Sequence, residues 1–233
     1  AQGGTSANGT GGSGIRSGSM LTISDNATIT NATGGSGRSG GHGLFGSVMK
    51  IISSTIGTAK GGEGKTSGGN GIYGVGKLTI SDNAAITNAT GGNATSIDGT
   101  GGSGIFSDGK LSIEKATITN ATGGNADNGT GGSGILGKTM EILTSTIKKA
   151  TGGRSTGKES YHTGGAGISS YGGLTIQGGT TVQAVGGNAD GGNADGGNAD
   201  SGNGGRATGE DGTGGSGIRS NGTLTIKGGP LGR

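Results

Sequence analysis

The chain has 233 residues, of which 65 are Gly, 26% are hydrophobic and 2% are aromatic, and it contains no Cys or Trp. This composition excludes a conventional large core, a disulfide framework and thiolate chemistry. The formal net charge is +3, with 17 basic and 14 acidic residues interspersed along the chain. No basic patch therefore predicts nucleic-acid binding, and no apolar run approaches the roughly 20 residues of a membrane span.

The first element of each repeat is Gly-Gly-x-Gly followed by Ile or Leu, which we call the marker. Its seven copies lie 29, 28, 33, 30, 33 and 50 residues apart. They end at Ile15, Leu44, Ile72, Ile105, Ile135, Ile168 and Ile218. Self-similarity of this kind indicates a repeat architecture, in which each unit is covered by its neighbours.

Two more apolar elements follow each marker, and both alternate apolar and polar residues with the period of a strand. The first is an apolar-polar-apolar triplet that begins at Leu21, Met49, Leu78, Leu111, Met140, Leu174 and Leu224. The second places an apolar residue at Ile29, Ile56, Ile86, Ile118, Ile147 and Val182, with an Ala shortly after it.

Each repeat is predicted to form one coil of three short strands, separated by Gly, Asn, Asp and Ser, which tolerate the left-handed conformations of sharp corners. The predicted fold class is therefore all-β, a parallel β-solenoid of about seven coils that forms a single domain over residues 1–233. All insertion falls at one corner while the rest of the repeat keeps a nearly constant length, and the longest insertion is a low-complexity loop at 188–213. In solenoids such insertions cluster on one face, which often binds ligands.

Residues 101–113, Gly-Gly-Ser-Gly-Ile-Phe-Ser-Asp-Gly-Lys-Leu-Ser-Ile, together with the close Ala-Thr-Ile-Thr-Asn-Ala-Thr-Gly-Gly at 116–124, carry a resemblance to a known family. They resemble the glycine-rich solenoid repeats of bacterial cell-surface and adhesin-like proteins. The resemblance covers about residues 11–229 and implies an extracellular, elongated, pectate-lyase-like right-handed parallel β-helix. It carries over no catalytic residue.

The residue directly after each marker forms the candidate binding site. It is Arg16, Phe45, Tyr73 and Phe106 in the first four copies, followed by Leu136, Ser169 and Arg219. If the marker Ile or Leu points inward, its neighbour points outward, so consecutive coils would align the aromatic rings about 4.8 Å apart. Such a strip would stack on a sugar or bury against a partner, and the alternative is a stabilising stack without a ligand.

Outward threonines next to the third-strand apolar residue suggest a second surface, a flat hydroxyl array of the kind that binds ice. They are Thr28, Thr30, Thr55, Thr87, Thr117, Thr119, Thr146 and Thr181. Ala85, Gly57, Lys148 and Gln183 interrupt the two columns. Thr is also simply a favourable strand residue on a solvated face, so this alternative stays open.

No constellation predicts catalysis, a metal or a cofactor. Asp25 and Asp82 lie at equivalent corners two coils apart, and His42 and His162 lack metal-ligand partners and are expected to be solvated. Asp127, Asp190, Asp195 and Asp200 follow Asn in glycine-rich turns that lack the apolar anchor of calcium-binding repeats. Asn31, Asn88 and Asn120, which belong to Asn-x-Thr sequons, are expected to stack their amides in a ladder.

These observations predict a secreted or cell-surface structural and adhesive protein that is not an enzyme. Its expected partners are a surface glycan or protein receptor, or further copies joined end to end in a fibre, because the copies at both ends show no capping helix. Neither nucleic acid nor a membrane span is expected. The alternatives are ice binding through the threonine columns and polysaccharide binding or cleavage by a β-helix.

Overall fold

A computed structural model describes residues 1–156, 162–178, 181–190, 198–199 and 212–227. Every regular element within these ranges is a β-strand. The described residues include no helix long and apolar enough to cross a membrane. The parallel β-solenoid expected from the repeats is confirmed.

The marker and the apolar triplet build one parallel sheet, which we call the front sheet. Its strands are Ile15–Ile23, Leu44–Ile52, Ile72–Gly74, Leu78–Ser81, Ile105–Glu114, Ile135–Leu143, Ile168–Ser170, Leu174–Gln177, Ile218–Ser220 and Leu224–Lys227. In four copies the two predicted strands run together as one strand, with a register shift such as that between Ser107 and Lys110. Each coil therefore contributes two strand segments to one sheet rather than to two.

The third apolar element builds the back sheet, which closes the other side of the core. Its parallel strands are Thr28–Thr33, Thr55–Lys60, Ala85–Thr90, Thr117–Thr122, Thr146–Thr151 and Thr181–Val185, and Asn198–Ala199 pairs antiparallel with the last. Between the front and back sheets the chain turns through left-handed residues, including Asp25, Ser53, Asp82, Lys115 and Thr144. The two sheets and this corner enclose the main lobe of each coil.

The core of the main lobe consists of identical or similar side chains stacked from coil to coil. The front sheet buries Leu44, Ile72 and Ile105 completely, and the back sheet buries the column from Ala59 to Ala184 in the same way. Leu224 and Ile226 belong to the inward columns but are 46% and 54% exposed, because no further described coil covers them. Stacking thus keeps a thin apolar interior dry with few large residues.

The glycine pairs close the main lobe at a narrow region that we call the waist. At the waist the chain leaves the main lobe through one Gly-Gly pair and re-enters it through the next. The second glycine of each pair donates its N–H to the second glycine of the preceding pair, as in Gly92 to Gly69, Gly102 to Gly92 and Gly124 to Gly102. These bonds, each 2.7–2.9 Å long, run without interruption from Gly4 to Gly215. The waist is therefore a continuous hydrogen-bonded spine of backbone.

Close approach, not turn geometry, explains these glycines. A Cβ at Gly102 would overlap the carbonyl oxygen of Gly69, and the same holds along the spine. Among the described glycines only Gly178 has a positive φ, at 80°. Of the residue types expected at left-handed corners, Asp, Asn and Ser do occupy them, joined by Lys115 and Thr144, whereas glycine does so only at Gly178 among the described residues.

Beyond the waist each coil makes a second, smaller loop, the side lobe, which the sequence did not predict as a structured element. Its strands are Gly37–Ser39, Gly64–Ser67, Ala126–Asp127, Ser155–Thr156, His162–Thr163, Ala189–Asp190 and Gly212–Thr213. Small residues fill it, with Gly64, Ala94 and Ala126 bridged from coil to coil. In the described coils the repeats differ in length chiefly in the segment that forms this lobe, and most of the low-complexity loop at 188–213 lies outside the described residues.

The number of coils differs slightly from expectation. About seven were predicted, and the markers of all seven copies do form consecutive rungs of the front sheet. Only the five turns between Ile15 and Ile168 are described nearly throughout, because much of the chain between Ile168 and Ile218 lies outside the described residues.

Candidate functional site

A groove with a volume of about 340 Å³ runs along the solenoid between the main lobe and the side lobe. The returning glycine pair forms its base, the front sheet one wall and the side lobe the other. It extends across several coils, from Thr10 to Leu136 and Tyr171. Two of the four predicted binding residues, Tyr73 and Phe106, line it.

The predicted aromatic row forms on the front-sheet wall. The register aligns Arg16, Phe45, Tyr73, Phe106, Leu136 and Ser169 on consecutive coils. Tyr73 and Phe106 are stacked at 5.0 Å between ring centroids with an interplanar angle of 4°. Phe45 meets Tyr73 edge to face at 5.6 Å, and the Arg16 guanidinium lies 5.1 Å from the Phe45 centroid.

The geometry of this row limits what it can offer a ligand. Tyr73 stacks on Phe106, and Arg16 covers one face of Phe45, so these ring faces already contact neighbouring side chains. Fewer ring faces are therefore left to stack on a ligand. This stacking matches the alternative of a stabilising side-chain stack, and a binding role for Arg16, Phe45, Tyr73 and Phe106 stays a prediction.

His42 belongs to the same wall, which the sequence did not predict. Its ring is stacked on Phe45 at 5.5 Å and lies 4.7 Å from the Tyr73 ring, and its Nδ1 accepts a 2.9 Å hydrogen bond from the Asn70 N–H. Burial, assisted by the charge of Arg16, lowers the pKa of His42 from 6.5 to about 4. His42 is thus a neutral acceptor and not the solvated corner residue that was expected.

The x residue of the marker continues this pattern along the base of the groove. Asn70 Oδ1 accepts a 2.7 Å hydrogen bond from the Ser103 N–H, as His42 Nδ1 does from Asn70 one coil earlier. The expectation for His162 is also wrong: it lies inside the side lobe, 3% exposed, and neither ring nitrogen has a hydrogen-bond partner in the described structure.

The opposite wall carries an unbroken row of hydroxyl residues, one per coil, which we call the hydroxyl row. Bridges and strand pairs join its members from each coil to the next: Thr10, Ser39, Ser67, Thr100, Thr130, Thr163 and Thr213. Those whose side chains are described are exposed or half-buried. Sequence reasoning missed this row, although its signal is simple, since Ser or Thr precedes the Gly-Gly of every marker.

Electrostatically the groove is neutral. No Asp, Glu, Lys or Arg is among the described residues that line it. Burial, assisted by Asp108, raises the pKa of the Tyr73 hydroxyl above its usual value, and His42 is uncharged near neutral pH. The cavity lining can therefore offer hydrogen bonds and apolar contact but no ion pair, while Arg16 lies over the Phe45 ring, outside that lining.

The threonine columns of the alternative ice-binding surface lie on the back sheet. The register aligns Thr28, Thr55, Ala85, Thr117, Thr146 and Thr181. The neighbouring column contains Thr30, Thr87 and Thr119, and a side chain at Gly57 would lie 2.6 Å from the Thr30 carbonyl oxygen. The interruption at Gly57 thus has a steric cause.

The remaining candidates are placed as follows. Asn120 donates a 3.0 Å amide hydrogen bond to Asn88, which confirms that part of the ladder, but Asn31 is paired with Thr58 and not with another Asn.

Asp127 accepts a hydrogen bond from the Thr156 hydroxyl, whereas Asp195 and Asp200 lie outside the described residues. In the described ranges no group of three or more His, Cys, Asp or Glu residues is arranged to hold a metal ion.

Comparison of the chain with protein-family models, curated proteins and solved structures found no match.

Proposed function

We propose that this chain is a secreted or cell-surface scaffold that adheres to a surface ligand through the groove between its two lobes. The observation that carries the proposal is the pairing of the aromatic row with the unbroken hydroxyl row across one open groove. Apolar side chains flanked by a few convergent hydrogen-bonding groups are typical of recognition sites. The resemblance to bacterial surface repeats supports the extracellular location.

Rigidity favours binding in such a groove. The backbone of both walls is paired from coil to coil by strands or bridges, and the waist below them is hydrogen-bonded throughout. A preorganised site loses little conformational entropy when a ligand binds. Because the groove repeats the same contacts on successive coils, a long ligand would make several weak contacts at once, which raises its overall affinity.

An array of glycans and extracellular-matrix proteins tests this proposal. We expect the chain to bind at least one ligand class, and a Phe106→Ala, Leu136→Ala variant to lose that binding because it removes apolar contact from the groove wall. The matched control is Thr117→Ala on the back sheet, with thermal unfolding of all variants measured in parallel. Binding that the control variant loses and the groove variant keeps would place adhesion elsewhere and contradict the proposal.

Ice binding is a second candidate, favoured by the in-register threonines of the back sheet. It predicts thermal hysteresis that is lost when Thr55 and Thr117 are replaced by Lys, since bulky charges prevent close contact with a flat surface. Absence of hysteresis and of ice-crystal shaping in the unmodified chain would rule it out.

End-to-end association of several copies is a separate proposal about partners. Negative-stain microscopy distinguishes the outcomes directly: fibres longer than one rod support it, and isolated short rods at high protein concentration contradict it.

A further inference from the structure

The unbroken hydroxyl row is the strongest unexplained regularity of the groove. Other outward columns change chemistry along the solenoid: the first threonine column contains Ala85, and the column on the outer front sheet contains Lys50 and Glu141 beside Thr79 and Ser112. By contrast, the hydroxyl row holds Ser or Thr at all seven copies. Within the described part of the chain its side chains make no hydrogen bond to protein, so the hydroxyls are available to a ligand.

The spacing of the row indicates which polymers fit. Adjacent rungs of a sheet are about 4.8 Å apart, whereas an extended polypeptide advances by about 3.3 Å per residue and soon loses register with the coils. A β-1,4-linked chain of pyranose sugars is an extended ribbon that advances by one sugar over nearly one rung. Each sugar in such a chain would meet one hydroxyl of the row and one side chain of the opposite wall.

The neutrality of the groove selects among such chains. Its described lining consists of Gly, Ser, Thr, Asn, Leu, Phe, Tyr and a neutral His. An acidic glycan would give up hydration of its carboxylates without gaining an ion pair, which is unfavourable. An uncharged glycan would instead exchange hydrogen bonds to water for bonds to the hydroxyl row.

Tyr171 completes the site at the far end of the groove. Its side chain lines the groove, is 57% exposed and has no ring contact among the described residues. Unlike Tyr73 and Phe106, it is not stacked on another aromatic ring in the described part of the chain. An open aromatic face at the end of a polar groove is suited to stacking on the apolar face of a sugar.

From these observations we infer that the groove binds an uncharged, linear, β-linked glycan that lies along the solenoid axis, with the hydroxyl row on one side and Tyr171 stacked on one sugar. This inference rests on the proposed adhesive function and specifies its ligand. The glycan makes hydrogen bonds on successive coils, so affinity increases with chain length.

Isothermal titration calorimetry with the full chain tests the inference, with cellohexaose and β-mannohexaose as neutral probes, hexagalacturonate as the acidic probe and isomaltohexaose as a flexible α-linked probe. We expect one of the two neutral β-linked probes to bind tightest, with an affinity that is insensitive to salt and falls for the corresponding disaccharide. Preference for hexagalacturonate, weakening at high salt, would overturn the ligand class.

Variants then test the placement. Tyr171→Ala and the pair Ser67→Ala, Thr100→Val should each weaken binding of the neutral probe about tenfold, because they remove a stacking face or two hydrogen bonds. Tyr171→Phe keeps the ring and should bind normally, as should Thr117→Val on the back sheet. All of these side chains are at least partly exposed, so the fold is expected to persist, and circular dichroism checks this.

Two failures are distinguishable. If no neutral β-linked probe binds but the groove variant Phe106→Ala, Leu136→Ala still abolishes adhesion to another ligand, this inference is wrong and the proposed function stands. If a neutral probe binds and the Tyr171 and hydroxyl-row variants bind it as the unmodified chain does, the glycan lies elsewhere and the placement is wrong.

Discussion

Individual glycines in this chain are required because a residue without a side chain leaves room for the backbone of the neighbouring coil. The sequence shows that Gly-Gly pairs recur, but it does not distinguish a glycine that adopts a left-handed turn from one that admits a neighbouring carbonyl. Gly102 belongs to the second kind, and the left-handed corners go to residues such as Asp82 and Lys115. The distinction depends on contacts between coils, which no local pattern encodes.

Replacing Gly102 with Ala should therefore be severely destabilising. Its Cβ would overlap the backbone of Gly69, so the spine must separate there, and we expect a loss of about 4 kcal/mol or more in the free energy of unfolding, or no folding at all. Gly18→Ala is the matched control, because a Cβ at Gly18 meets no atom within 4 Å. Equal unfolding midpoints for the two variants in a denaturant titration would contradict the steric role.

His42 should make stability depend on pH. Its pKa is about 4 in the folded chain and 6.5 when unperturbed, so between these values the unfolded state binds a proton that the folded state does not. Above pH 6.5 the neutral His42 therefore makes its full contribution to the free energy of unfolding. As the pH falls toward 4, the free energy of unfolding decreases by up to about 3 kcal/mol.

The His42→Asn variant isolates this effect, since Asn70 shows that an amide oxygen can accept the same inter-coil hydrogen bond. We expect the variant to be less stable at neutral pH, because it loses the ring contacts, but to show a shallower decline in acid. Denaturant titrations of both proteins across this pH range measure the difference. Parallel pH profiles would show that His42 is not the titrating group.

Among the sheets and lobes, the apolar strands were predictable and the side lobe was not. Period-two alternation placed Leu111 and Ile113 correctly in the interior, where both are fully buried. The side lobe has segments such as Ser-Gly-Arg-Ser at 36–39, which contain no apolar residue and predict only a turn. The side lobe is ordered by backbone pairing between coils and by the waist. A search for apolar periodicity therefore does not detect the hydroxyl row.

One side lobe should tolerate replacement by the shorter side lobe of another coil. Replacing residues 93–100 with the four-residue lobe Ser-Gly-Arg-Ser of residues 36–39 keeps a small residue inside and a hydroxyl before the marker. Because the glycine spine closes the main lobe independently, we expect the free energy of unfolding to change by no more than about 1 kcal/mol. Deleting Thr119 from the back strand is the control and should unfold the coil, because it shifts inward residues outward. A lobe exchange as damaging as this deletion would show that the lobe is part of the cooperative core.

The complete solenoid follows from repetition, which is why the sequence predicts it well. Each coil needs only a few apolar residues when its neighbours cover it, and in-register Ile columns such as Ile72, Ile105 and Ile135 indicate stacking directly. What repetition does not reveal is the cross-section of a coil. Two lobes joined by a waist, and hence the groove that carries the proposed function, arise from hydrogen bonds between glycines far apart in sequence.

Amide hydrogen exchange measured by NMR tests this two-lobed cross-section most directly. The spine predicts that the N–H groups of Gly69, Gly92, Gly102 and Gly124 exchange as slowly as those of the back-sheet residues Ile86 and Ile118, because each is hydrogen-bonded between coils. The Gly18 amide, at the register shift within the strand Ile15–Ile23, serves as the exposed reference. If the spine glycines exchange as fast as Gly18, the waist does not exist in solution and the groove cannot form as described.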